Sequence, residues 1–181
     1  MSNIKTFTRI FTIADYEEEE NWLREQSRKG LHLQKMIQPF LYIFEVGEPE
    51  DVIYRLDYRN DRGDQDYTQM FADYGWECCG RCFGWIYFRK PASTVTCEEE
   101  GELFSDSESR LSMVQHVMMT RMLPLLVVFL CILIPQWMNI MDRPGEGVLE
   151  IIFTVLMVLY VILILHCGRK LYRLRKKLKK F

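Results

Sequence analysis

Residues 122–141 read MLPLLVVFLCILIPQWMNIM, and residues 148–167 read VLEIIFTVLMVLYVILILHC. At a rise of about 1.5 Å per residue, each stretch spans the ~30 Å hydrocarbon layer of a bilayer. The first has no charged residue, and the second has only Glu150, near its start. Neither shows the polar stripe at 3.6-residue spacing that a helix on a soluble protein displays. The segment between them, DRPGEG at 142–147, has the Pro, Gly and charge of a tight polar turn. The pair predicts a helical hairpin that crosses a membrane twice. Pro124 falls near the start of the first span, where proline is tolerated. Pro135 predicts a kink towards the outer end, with Trp137 as an interfacial anchor.

The chain has 181 residues, 23 of them Lys or Arg and 25 Asp or Glu, with a formal net charge of −2. This near-balance conceals an asymmetry. Residues 1–97 carry 12 basic and 16 acidic side chains, residues 98–168 carry 3 and 9, and residues 169–181 carry 8 and none. The basic residues of the tail are Arg169, Lys170, Arg173, Arg175, Lys176, Lys177, Lys179 and Lys180. The turn between the spans offers Arg143 alone. Basic flanks stay on the cytoplasmic side, so both termini are expected there, and Arg121 before the first span agrees. The tail serves first as a topology signal and second as a candidate site for anionic lipid head groups. Leu171, Tyr172, Leu174 and Leu178 have the helical spacing that would lay it along the interface. At 49% apolar and 13% aromatic residues the chain is not disordered, and six cysteines are too few for a disulfide scaffold. Lys5 and Arg9 precede no continuous apolar run, so no signal peptide is expected.

Residues 1–91 read as an α+β domain. KTFTRIFTI at 5–13 is a strand by its β-branched and aromatic content. Asp15 is the expected helix N-cap. The glutamates at 17–20, then Arg24, Arg28 and Lys29, then Gly30, give acid at the start, base at the end and glycine after the last turn. The glutamate run therefore reads as a solvated helix face. Residues 31–37 and 40–46 predict a hairpin across Gln38-Pro39, and residues 51–58 a further strand. After a polar loop at 60–66, a short helix is expected at 67–74, ending at Gly75. Residues 76–81 and 83–90 predict a second hairpin, closed by Pro91. The order strand, helix, strand, strand thus occurs twice, at about 4–49 and 51–91, and reads as an internal duplication. The expected fold is an antiparallel or mixed sheet with two helices, followed by an acidic, flexible linker at 92–121, the hairpin at 122–167 and the basic tail at 168–181.

The doubled unit resembles the bacterial effector-binding fold, in which two such halves form a cleft for an organic ligand, and a ferredoxin-like α+β arrangement fits the order of elements nearly as well. The chain also resembles a bacterial family catalogued as domain of unknown function number 2812. The residues that carry the likeness are FTIADYE at 11–17, Trp22-Leu23, SRKGLHL at 27–33, Phe44-Glu45, Gly47-Glu48-Pro49, YRLDY at 54–58, Gly75-Trp76-Glu77 and WIYF at 85–88. The likeness covers roughly residues 1–90. It implies a domain followed by membrane helices, in the bacterial cytoplasmic membrane, often encoded beside small winged-helix regulators. It implies no particular chemistry.

Chemistry-bearing residues are sparse. Cys78, Cys79 and Cys82 cluster, but the second cysteine pair of a zinc knuckle is missing, and they read as small residues in a hairpin. On an unbroken strand Cys78 and Cys82 would share a face and Cys79 would take the other. His32, His116 and His166 are scattered, which argues against a nucleophile–base pair. No cofactor, metal or nucleic acid is expected. The aromatic strand residues Tyr42, Tyr54, Trp76 and Trp85, with Arg55 and Asp57 as polar anchors, are either core or the lining of a cleft for a planar ligand. The expected function is a non-enzymatic membrane protein whose cytoplasmic domain binds a small organic molecule or a protein partner. Two alternatives are an accessory subunit docking through its hairpin, and a metal or thiol enzyme built on the three cysteines.

Overall fold

Alternation of buried and exposed side chains builds the first sheet. In the computed structural model, which describes residues 3–37, 40–59, 65–104, 107–141 and 147–178, strands β1 (Ile4–Thr8), β2 (Leu31–Ile37) and β3 (Leu41–Val46) pair antiparallel in the order β1-β3-β2. Leu31, Leu33, Tyr42 and Phe44 bury one face, while β1 is almost wholly exposed. The second sheet holds β4 (Val52–Tyr58), β5 (Glu77–Cys82) and β6 (Trp85–Pro91) in the order β4-β6-β5. Here β4 and β6 are buried on both faces, as near-continuous apolar strands must be. The two sheets share their connectivity. Each also has a register shift at the matching place, between Leu33 and Lys35 and between Cys78 and Gly80.

Helix α1 (Tyr16–Ser27) packs against β4 and β2. Its inward face includes Tyr16, Glu19, Glu20, Leu23 and Ser27, the i, i+3, i+4, i+7 pattern of a core-facing helix. Glu17 and Glu18 are the solvated part of the glutamate run, whereas Glu19 and Glu20 are buried, contrary to expectation. Asp15 precedes the helix without capping it. Its carboxylate instead accepts from the backbone N–H of Thr12 at 2.9 Å and from the Thr12 hydroxyl in a local turn, and β1 ends at Thr8 rather than at residue 13. Gly30 follows α1 in the left-handed region, at φ +76°, as its place after the last turn required.

Helix α2 (Gln65–Asp73) covers the other face of the second sheet. Phe71 joins Ile53, Trp76, Ile86 and Phe88 in one cluster. Gly75, at φ +81°, closes the helix, and Phe83 and Gly84, at φ +46° and +85°, form the tight turn between β5 and β6. Two consecutive left-handed residues are the primed turn that matches strand twist. Phe83 therefore belongs to the turn and not to the strand.

The segment after β6 departs most from its sequence reading. Residues 92–94 and 98–101 form short 3₁₀ turns, and Ala92, Val95, Leu103 and Phe104 pack on the α2 cluster. Lys90, 7% exposed, donates to the carbonyls of Tyr74 and Glu100 at 3.0 and 3.2 Å. Residues 92–104 are thus an integral layer of the domain rather than a tether. The chain divides into two compact units, Met1–Ser109 and Arg110–Phe181.

In the second unit, α3 (Ser107–Val117), α4 (Leu123–Val128) and α5 (Ile134–Met141) follow one another, separated by π-turns at Met118–Met122 and Phe129–Leu133. Each π-turn falls just ahead of a proline, Pro124 or Pro135. A proline has no N–H for the carbonyl four residues back, and the helix re-registers around the loss. Helix α6 (Gly147–Leu178) returns as 32 unbroken residues. Between the arms, the Tyr160 hydroxyl donates to the Leu125 carbonyl at 2.9 Å, and Phe129 stacks on Tyr160 at 5.7 Å. The stretches Glu108–Ile140 and Glu150–Lys176 are long and apolar enough to cross a membrane. The expected turns at 38–39 and 142–146, residues 60–64 of the polar loop, and Lys179 and Lys180 lie outside the described residues.

Candidate functional site

The polar centre of the domain is the Glu19 carboxylate. It projects from the first turn of α1, is 5% exposed, and accepts from the hydroxyls of Tyr42 and Tyr87, each at 2.7 Å. Tyr42 lies on β3 and Tyr87 on β6, the central strands of the two sheets. One carboxylate therefore joins both halves. Burial pushes its pKa up, while the two phenol hydrogen bonds act in the opposite direction. Burial, then the neighbouring Glu19 charge, pushes both phenols above their ordinary value, so they remain donors. Phe11, Trp22 and Phe44 surround Tyr42, and the Arg9 guanidinium lies over Phe11 and Trp22 at 5.0 and 5.2 Å.

A second set of contacts runs along the free edge of β4. The Leu56 N–H donates to Glu20 Oε1 at 2.7 Å, and the Val52 N–H to Ser27 Oγ at 3.2 Å. Unpaired strand edges template unwanted pairing, and α1 closes this one with side chains. At the end of the same helix, Arg24 grips Asp51 with two hydrogen bonds of 2.7 and 2.9 Å, and Arg28 adds a third at 2.8 Å. These bonds, Arg24 first, hold the Asp51 carboxyl well below the usual carboxylate range.

The six residues nominated as a ligand cleft sit in these layers. Tyr42, Tyr54, Trp76 and Trp85 are all at most 5% exposed. Tyr54 accepts from the Leu33 N–H at 3.3 Å across the two sheets, and Trp85 packs between Tyr16 and Tyr58. Arg55 binds Glu102 through two hydrogen bonds of 3.1 and 2.8 Å and approaches Glu20 at 3.6 Å. Asp57, 2% exposed, accepts from the Tyr67 hydroxyl at 2.6 Å. The structure brings Tyr42 to Glu19 and Arg55 to Glu20. It disperses the others over both faces of the second sheet: Tyr54 and Trp85 lie on the α1 side, Trp76 in the α2 cluster.

Glu19 and Glu20 were missed as interior groups. The signal lay in the phase of the helix, because Tyr16, Leu23 and Ser27 mark the face on which positions 19 and 20 must fall. The cysteines also differ from expectation. The register shift between Cys78 and Gly80 breaks the strand alternation, so Cys78 pairs with Phe88 and Cys82 with Trp85, and the two fall on opposite faces rather than one. Cys79 Sγ–H points to the Tyr87 carbonyl at 3.4 Å, and burial pushes this thiol up to about 12, the opposite of a nucleophilic cysteine. Among the described residues, no three His, Cys, Asp or Glu side chains gather as metal ligands.

On the second unit, the tail continues α6. Cys167, Leu171 and Leu174 are buried, as are Met113, Val114 and Val117 of α3. Leu171 and Leu174, expected to rest on lipid, are covered by protein. Arg169, Tyr172, Arg173 and Lys176 are exposed. At the far end of the hairpin, Trp137 Nε1 and Glu150 Oε1 are buried without a hydrogen-bond partner among the described residues.

The molecule is thus an α+β domain, made of two three-stranded antiparallel sheets with helices, joined to a pair of apolar helices. A family model described as a protein of unknown function, DUF2812, matches residues 15–128, and the chain belongs to that family. The match runs through residues 92–104 and into the first apolar helix, further than the residues that suggested it. No curated protein and no solved structure matches the chain.

Proposed function

We propose that this chain is a non-enzymatic protein of the bacterial cytoplasmic membrane that crosses twice, with both termini in the cytoplasm, and whose α+β domain docks a protein partner. The observation that carries this reading is the joining of two membrane-length apolar helices to a domain whose polar interior is internally paired. Arg55, Asp57, Glu19 and Glu20 all bond within the fold, which supports structural over catalytic duty. The burial of Tyr42, Tyr54, Trp76 and Trp85 moves support from a small organic ligand towards a macromolecular partner. The shared connectivity of the two sheets supports duplication as the origin of the domain. Full-length protein, cross-linked in cells and purified in mild detergent, is expected to carry a stoichiometric protein partner joined to the α+β domain. A bound organic molecule without a protein would favour the ligand-cleft reading, and neither would refute both.

A second reading has the hairpin itself dock into a membrane complex. Glu150 favours it, since a carboxylate in an apolar hairpin whose Oε1 is buried without a hydrogen-bond partner among the described residues points to function. Exchange of residues 122–167 for an unrelated two-span hairpin abolishes activity under this reading and preserves it under the first.

A further inference from the structure

We propose that β1 is the interface through which two copies of this chain pair, edge to edge, joining their first sheets into one continuous sheet. The inference goes beyond the function proposed above and does not depend on it.

The ladder between β1 and β3 fixes which groups β1 offers outward. The Arg9 N–H donates to the Phe40 carbonyl at 2.8 Å, and the Val46 N–H donates to the Asn3 carbonyl at 2.8 Å. Between these, Ile4 lies opposite Glu45 and Thr8 opposite Leu41. The odd-numbered residues of β1 therefore bond to β3. The N–H and carbonyl groups of Ile4, Thr6 and Thr8 point away from the sheet, and they meet no partner strand among the described residues. The other strand edges are closed within the domain. Glu20 and Ser27 of α1 take the N–H groups of Leu56 and Val52 on β4, and β2 and β5 pack against each other. On β1, Ile4 is 50% exposed, and Phe7, edge to face with Phe44 at 5.6 Å, is the one residue partly covered. The strand has neither the proline nor the bulge that commonly blunts an edge, and Lys5 is its single charge.

The sequence of β1, IKTFT, selects a second copy as the occupant. In an antiparallel pair, residues that bond outward face one another, so even positions must meet even positions. Two-fold pairing centred on Thr6 sets Ile4 against Thr8 of the second copy, Thr6 against Thr6, and Lys5 against Phe7. The whole strand then pairs, and no like charges meet. The Thr–Thr pair is a favourable cross-strand neighbour, and each Lys5 ammonium lies beside a Phe7 ring. A slide of two positions leaves only three residues of β1 paired. It also brings Lys5 onto Lys5 in one direction and onto Arg9 in the other, and like charges directly opposite are unfavourable. The charge that guards this edge thus selects one self-complementary register, as a two-fold contact requires.

Full-length protein in mild detergent is expected to be a dimer by light scattering. Thr6→Pro is expected to give a monomer that still melts cooperatively, because the Thr6 N–H lies outside the β1–β3 ladder and proline is accepted on an edge strand whose N–H faces out. Thr6→Lys is expected to lose the dimer as well, by setting like charges against each other on the axis. The register is read with introduced cysteines in a Cys97→Ser background, which removes an exposed thiol. Residues of a hydrogen-bonded pair have Cα atoms about 5.5 Å apart, inside the disulfide range of about 4.4–6.8 Å. Under mild oxidation, Thr6→Cys links to itself more than the Cys97→Ser parent does. Ile4→Cys links to co-expressed Thr8→Cys and not to itself. A monomeric wild type overturns the interface. A dimer that survives both Thr6→Pro and Thr6→Lys assigns association to another surface and overturns it too. Linking of Thr6→Cys to a different protein overturns the second copy as occupant, and self-linking of Ile4→Cys overturns the register.

Discussion

Glu19 accepts from Tyr42 and Tyr87, and its removal would leave two buried phenols without an acceptor. Stranded donors cost about 1–3 kcal/mol each, whereas removing all partners of a buried network together is nearly neutral. Glu19→Leu is therefore expected to lower stability by about 2–4 kcal/mol in denaturant melts. Adding Tyr42→Phe and Tyr87→Phe should recover most of that loss. If the triple variant is as unstable as the sum of its parts, the shared carboxylate is not the link. Asp51 supplies a pH signature. Its folded pKa is depressed by Arg24 and Arg28, so its stabilisation is complete above its unfolded value of about 4 and is lost as pH falls through the folded value. Asp51 is partly exposed, so solvent screening limits the pairing to about 1 kcal/mol. The Tm difference between wild type and Asp51→Asn should be full at pH 7 and shrink below pH 4. A difference that persists in acid would show that the variant acts through something other than charge. Asp51 and its arginines were legible as residues, but their meeting was not, because 27 positions separate Arg24 from Asp51.

Among elements, those governed by local rules were the readable ones. Helix α1, both hairpins and the glycines after each helix follow from capping, alternation and turn chemistry. Gly30 shows why the glycine is needed. Its φ is +76°, and a side chain there would collide with the Gly47 carbonyl oxygen. Gly30→Ala is expected to cost more than about 1 kcal/mol, while Gly80→Ala, where nothing lies within 4 Å, costs less. Equal melting temperatures for the two variants would contradict both the strain and the collision. The closure of the β4 edge by Glu20 and Ser27 was not readable. A helix side chain bonding to a distant strand leaves no periodic trace, and a run of four glutamates looks solvated until the phase of the helix is considered.

For the whole molecule, the boundary of the domain moved. Composition made residues 92–104 look like solvated tether, because four glutamates crowd into residues 98–102 with no periodic apolar pattern. Val95, Leu103 and Phe104 nevertheless pack on the α2 cluster, and Glu102 takes the Arg55 guanidinium. A fragment ending at residue 104 is expected to melt cooperatively and well above one ending at residue 91, which exposes Ile53 and Phe71 and leaves Arg55 without Glu102. Equal melting of the two fragments would return the segment to the role of linker.

The hairpin, the α+β class, the order of elements and the family could all be read along the chain, because each rests on spacing, composition or short local motifs. The partners of charged and aromatic side chains required the fold. Glu19 became a strut rather than a solvated charge, five of the six candidate ligand contacts became interior groups while Arg55 took Glu102 as its partner, and Leu171 and Leu174 turned from lipid to protein. In each case the deciding quantity is burial against residues remote in sequence, which sets desolvation and hydrogen-bond satisfaction and has no one-dimensional signature.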